Sequence, residues 1–236
     1  RHAFEFGDKI PVTTAVVTDA DLAVIRPCIN DTSGNGAFCD ADQTAKLNIL
    51  LMGDSSAAGV GAFDFDSSLM GQLKKQIPYP TKYTIWAKSG DTTQAAIDKL
   101  NQKEEQTFDV VITALGVNDV TRGTKLSDWQ TQQKHLISIV ESKHNARLII
   151  VCGLPPMDKF TALPQPLRGF FADKATRMDS ALQQLLEKEA KVIFLPLNKF
   201  PENLPTASDG FHPGPEAYHY WARQLSRSIT RHFDSH

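Results

Sequence analysis

The chain has 236 residues, 41% hydrophobic and 22% charged, with a formal net charge of -2. That length accommodates one generous α/β core and strains to hold a second, and the scattered, nearly balanced charge gives no electrostatic case for a nucleic-acid or anionic-membrane partner. No run approaches the roughly 18 apolar residues of a transmembrane helix, so no integral membrane segment is expected in this chain.

In chain order, residues 1–45 read as an N-terminal arm packed on the domain, with one short helix or strand around Ala15 to Ile25. The chain starts at Arg1 rather than methionine, which suggests that a signal peptide, a membrane anchor or further protein has been removed upstream. Cys28 and Cys39 bracket a flexible loop that closes easily. A disulfide between them is expected and implies an oxidising, extracytoplasmic compartment, periplasmic or secreted; two free thiols are the cytoplasmic alternative. In the same loop Asp31, Ser33, Asn35, Gly36 and Asp42 imitate the spacing of a calcium loop. The closing glutamate and flanking helices are missing, so an ordinary Asn/Gly turn is favoured over a calcium site.

Residues 46–236 form the expected domain. Short apolar runs recur at Leu47 to Met52, Tyr83 to Ala87, Val110 to Leu115, Leu148 to Cys152 and Val192 to Leu197. Continuous rather than alternating, they suit strands buried on both faces of a parallel sheet. Cys152 reads as a buried strand residue. Between the runs lie segments of helical character, with apolar positions at Ala95, Ile97 and Leu100, at Trp129, Leu136 and Val140, and from Phe170 to Leu186. A last helix from about Pro215 to Phe233 carries Trp221, Leu225 and Ile229 on one face. The alternation predicts a three-layer α/β/α sandwich around a central five-stranded parallel sheet.

Ligands of such sheets bind beyond the carboxyl ends of the strands. Gly53-Asp54-Ser55, Ser89-Gly90-Asp91-Thr92 and Gly116-Val117-Asn118-Asp119 follow the first three runs, and Asp209-Gly210-Phe211-His212-Pro213 follows the fifth. Each is common turn chemistry alone. Together they offer a nucleophile, a base with its carboxylate, and amide donors at one edge.

These four blocks, in this order, resemble those of the SGNH hydrolases, the GDSL esterase/lipase family, over roughly Lys46 to the C-terminus. The Ser89 to Thr93 block and the Asn118 to Gly123 stretch are similar to bacterial thioesterase/lysophospholipase-type arylesterases. The resemblance implies a flavodoxin-like SGNH fold with no metal or cofactor. It makes Ser55 the nucleophile, His212 the general base and Asp209 its orienting acid. It also makes the Ser55 and Gly90 N–H groups and the Asn118 side-chain amide the oxyanion donors. A serine hydroxyl needs an imidazole to remove its proton, and that imidazole needs its second nitrogen held.

Ser56 stands where the family name has leucine and places a second hydroxyl beside Ser55. Asp54 and Asp119 read as loop-fixing carboxylates. His135, His144 and His219 read as solvated or packing histidines. Met157, Phe160, Phe170 and Phe171 read as core more readily than as an acyl pocket. The expected function is a serine-dependent hydrolase of short- to medium-chain acyl esters or thioesters. The rivals are a carbohydrate O-acetyl esterase with the same residues in a different groove, and a catalytically silent SGNH-like binding module.

Overall fold

The computed structural model describes Ala37, Phe38 and residues 46–234. The expected Cys28–Cys39 bridge, the calcium-like positions Asp31, Ser33, Asn35, Gly36 and Asp42, and the Ala15 to Ile25 element fall outside the described residues.

Among the described residues six strands make one sheet: β1 (Ala37–Phe38), β2 (Leu47–Gly53), β3 (Thr81–Ala87), β4 (Val110–Ala114), β5 (Leu148–Cys152) and β6 (Val192–Leu195). Their order is β1-β3-β2-β4-β5-β6, and every pair is parallel except β1 on β3. The five parallel strands are the expected sheet. The two-residue antiparallel edge strand was not anticipated, because Ala37–Phe38 lies in the Gly/Asn-rich stretch where turn chemistry dominates the local signal.

Continuous apolar runs are explained by burial on both faces. Along β2, Ile49 and Leu51 enter one core cluster while Leu50 and Met52 enter the other. The same division separates Val110 and Ile112 from Val111 on β4, and Leu148 and Ile150 from Ile149 and Val151 on β5. Cys152 closes β5, buried, and burial pushes its thiol up to about 12, which keeps it protonated and inert.

Among the described residues six α-helices flank the sheet: α1 (Leu69–Gln76), α2 (Thr93–Gln102), α3 (Val117–Thr121), α4 (Leu126–His144), α5 (Leu167–Leu186) and α6 (Pro215–Asp234). Buried side chains of α1 and α6 build one cluster, and those of α2, α4 and α5 the other. Short helix α1 is capped by Ser68, whose hydroxyl accepts from the Gly71 N–H at 3.3 Å. On α6, Trp221, Leu225 and Ile229 all face the core as their spacing predicts. Two apolar runs outlast their strands. Leu115 lies beyond β4, and Leu197 opens a 3-10 turn after β6.

The candidate active site at the carboxyl edge

Strand β2 delivers Ser55 through a tight turn. A β-carbon on Gly53 would stand 2.3 Å from the Ala114 carbonyl oxygen, so only glycine lets β2 run this close to the end of β4. The Asp54 N–H bonds that same carbonyl at 3.1 Å, and the Ala58 and Val60 N–H groups fold back to the carbonyls of Asp54 and Ser55 at 3.0 and 2.9 Å. From α6, the buried Tyr218 hydroxyl donates to the Val60 carbonyl at 2.5 Å and ties the turn down.

Asp209 and His212 sit in a loop closed on itself. Thr206 and Pro213 form an antiparallel bridge, the Ala207 N–H bonds the His212 carbonyl at 2.8 Å, and the Gly214 N–H bonds the Pro205 carbonyl at 3.1 Å. Inside it, Asp209 Oδ1 accepts from the backbone N–H groups of Phe211 and His212 at 2.9 and 3.0 Å. The other oxygen, Oδ2, lies 2.5 Å from His212 Nδ1, and His212 Nε2 lies 2.9 Å from Ser55 Oγ. Burial raises the Asp209 carboxyl, but the imidazole bond and the two backbone donors outweigh it and hold the group below its ordinary range. Of the two adjacent hydroxyls, it is that of Ser55 that His212 Nε2 meets.

The amide donors come from β3 and β4. Gly90 adopts φ +84°, a left-handed conformation that suits glycine, in the turn between β3 and α2. The N–H groups of Ser55 and Gly90 bond no other described residue. The Asn118 amide, on α3, donates to the Asp91 carbonyl at 3.1 Å and to Asp54 Oδ2 at 3.3 Å. All three sequence blocks therefore converge on the serine turn. Asp54 Oδ1 accepts the Ser56 N–H at 3.0 Å, in keeping with a loop-fixing role. Burial, abetted by the neighbouring Asp119 and Asp91 carboxylates against the Ser56 N–H, raises Asp54 to about 7. Asp119 is buried and accepts from the Thr93 N–H and hydroxyl, both at 2.9 Å, pinning the start of α2 to α3.

Sequence reasoning missed Asp179. Buried in the apolar stripe of α5, it accepts from the Leu154 N–H at 2.7 Å and the Asn198 amide at 2.9 Å. It thereby joins the loops after β5 and β6. A lone acid between Met178 and Leu182 was the available signal. Three further histidines that the sequence singles out lie apart from the site: His144 is buried against the Trp86 and Phe108 rings with Nδ1 on the Gln106 carbonyl, His219 meets Gln72, and His135 is exposed.

A cavity of about 270 Å³ opens beside Ser55 and His212. Its walls are mainly apolar, with Leu115, Leu154, Phe160, Leu204, Phe211 and Trp221 among them. Phe160 thus lines the cavity, Met157 is core, and Phe170 is 58% exposed. Among the described residues no group of His, Cys, Asp and Glu side chains is placed to hold a metal ion, and no helix is long and apolar enough to cross a membrane.

Residues 51–220 match the GDSL-like lipase/acylhydrolase family. No curated protein matches the chain. Among solved structures, it is similar to the lipase Lip_vut3 from a goat rumen metagenome, with TM-score 0.62 and 19% identity over 78% of this chain and 97% of that one. An aryl esterase of M. smegmatis gives TM-score 0.62 and 18% identity over 78% and 99%. A family two carbohydrate esterase from Clostridium thermocellum gives 0.63 and 17% over 84% and 67%. At these identities the likeness is one of fold.

Proposed function

The chain belongs to the GDSL-like lipase/acylhydrolase family and is an ester hydrolase; from that premise we propose that it works through an acyl-Ser55 intermediate on short- to medium-chain acyl esters. The observation that carries this reading is the unbroken relay from Ser55 Oγ through His212 to Asp209, at 2.9 and 2.5 Å.

His212 Nε2 accepts the Ser55 proton as Oγ attacks the ester carbonyl, and the imidazolium that forms is stabilised by the Asp209 carboxylate at Nδ1. Negative charge developing on the carbonyl oxygen meets the free N–H groups of Ser55 and Gly90. Asn118 joins them by exchanging its longer contact, the one to Asp54, for the oxyanion. Collapse passes the proton from His212 to the leaving alcohol or thiol. The same imidazole then activates water against the acyl-serine, and the carboxylic acid leaves. The cavity supports the substrate size: its roughly 270 Å³ sits just under the 300–1,000 Å³ usual for small-molecule sites, with apolar walls suited to a modest acyl chain.

The test is a chromogenic short-chain ester series with fluorophosphonate labelling. Ser55→Ala and His212→Ala are each expected to abolish turnover with an unchanged circular dichroism spectrum, and label is expected on Ser55 alone. Turnover surviving Ser55→Ala would sink the mechanism. A glycan O-acetyl esterase is the second reading, favoured by the cavity's small volume. Acetate release from acetylated polysaccharide faster than cleavage of aryl esters with longer acyl chains would select it.

A further inference from the structure

Asp179 is buried on α5 and does not itself line the cavity, yet both of the groups it bonds belong to residues that do. Its Oδ1 accepts from the Leu154 N–H at 2.7 Å and its Oδ2 from the Asn198 amide at 2.9 Å. Leu154 and Phe160 belong to the loop after β5, and Asn198 and Leu204 to the segment after β6. These two segments supply much of the cavity wall.

The bond to Leu154 is built into the backbone. A β-carbon on Gly153 would stand 2.4 Å from Asp179 Oδ1 and 2.7 Å from the Phe194 ring, so a side chain there would drive the carboxylate off. On another side Leu154 meets Gly116, where a β-carbon would stand 2.8 Å from Leu154 Cδ2. Leu154 is therefore fixed between α5 and the turn before α3, whereas Asn198 sits in an exposed position. The Gly153 N–H bonds the Leu195 carbonyl at 2.8 Å, just before the two segments part. Beyond that point, among the described residues, 154–166 and 196–204 exchange no hydrogen bond directly, and Asp179 is the group that both meet.

We infer that Asp179 is a positioning residue for acyl selectivity: by bonding Leu154 and Asn198 at once it fixes the spacing of the two segments, and with it the width open to the acyl chain. The inference rests on the ester-hydrolase reading and specifies how that site selects its acyl group. Joining two loops through an interior carboxylate is costly, because burial disfavours the charge. Apolar contact would join them without that cost, but it has no direction, whereas charge-assisted hydrogen bonds fix distance and angle. The reacting groups are secured elsewhere, Ser55 by the turn tied to Ala114 and Tyr218, and His212 by its own closed loop.

The experiment compares turnover of 4-nitrophenyl esters from acetyl to decanoyl at pH 8. Asn198→Asp sets a second carboxylate against Asp179 and breaks the tie by repulsion. Asn198→Asp/Asp179→Asn rebuilds it with amide and carboxylate exchanged, since the side chain at 179 still accepts from the Leu154 N–H and now donates to the one at 198. Both variants carry the same new carboxylate in the wall, so the difference between them reports the tie. Asn198→Asp is expected to raise KM for the parent's best ester by about tenfold, the scale on which a pocket discriminates one methylene, and to move the optimum to longer chains. Its kcat on the acetyl ester is expected to change far less, and the double variant to return the parent's profile. Should the single variant lose its circular dichroism spectrum, Asn198→Ala breaks the same bond without added charge and is expected to give the same shift. An unchanged profile after the tie is broken, an equal loss on every ester, or no recovery in the double variant overturns the inference. A parent chain that cleaves none of the esters counts against the hydrolase reading instead.

Discussion

Two turns at the same edge each carry an aspartate beside a proposed catalytic residue, and the two carboxyls are driven in opposite directions. In the 205–214 loop, Asp209 receives two backbone N–H groups and the imidazole of His212, and stays ionised. In the serine turn, Asp54 receives the Ser56 N–H and a long contact from Asn118, faces Asp91 and Asp119, and is raised to about 7. Proximity to the nucleophile does not make an acid part of a charge relay. What decides is how many donors meet the carboxylate and which neighbouring charges surround it.

The contrast is broken most forcefully at Asp209. Asp209→Ala is expected to lower kcat by on the order of 10³–10⁴, less than loss of Ser55 or His212, because the acid orients and stabilises the imidazolium without itself reacting. Steady-state kinetics on an aryl ester measures it, and a loss below tenfold would remove Asp209 from the relay. Next comes Asn118→Ala, expected to cost about 10²–10³ in kcat with little change in KM, as for one oxyanion donor. A change confined to KM would make Asn118 a ground-state contact.

The smallest expected effect is on stability, through Asp54. With a folded value near 7 against an ordinary 3.8, the native state keeps a proton that the unfolded chain has released between those pH values. Stability therefore falls as pH rises through that window and levels off above it, by up to a few kcal/mol on the order of magnitude that such a shift represents. Asp54→Asn lacks this loss, so urea denaturation should show the variant gaining on the parent from pH 4 to pH 7. Asp209, held low, has the opposite sign: its contribution is present above the ordinary carboxyl range and is lost as pH falls through its folded value. Parallel stability curves for parent and Asp54→Asn across that window would refute the charge difference between the turns.

Much of the fold was legible because a strand buried on both faces leaves an uninterrupted apolar run, as Leu47 to Met52 and Leu148 to Cys152 do. The site was legible for a related reason. Sharp turns at strand ends need glycine and short polar residues, so the sequence marks Gly53, Gly90 and Gly116 as bends before it marks any chemistry. Less could be read where tertiary contacts overrule local pattern. Helix α1 is only eight residues long and follows a Ser- and Asp-rich loop, and neither its length nor its flanks announce it. Asp179 resembles a flaw in an apolar stripe until the Leu154 N–H and the Asn198 amide are seen to need it. Met157 and Phe170, at either end of the segment between β5 and the first turn of α5, end one buried and one exposed, a difference that the path of the 153–166 loop decides.

The missing β-carbon at Gly53 has a reach beyond its own turn. By letting the chain after β2 lie against the end of β4, it fastens the nucleophile and the Asn118 helix to two adjoining strands, so Ser55 and the Asn118 amide shift together if they shift at all. Much of the cavity wall, including Leu154, Phe160 and Leu204, hangs from β5 and β6, farther across the sheet. The nucleophile and much of the wall thus rest on separate supports, while His212 and Asp209 share the segment after β6 with Leu204. Redesign of the loop after β5, which carries Leu154 and Phe160, can retune which acyl group enters while Ser55, His212 and Asp209 keep their alignment.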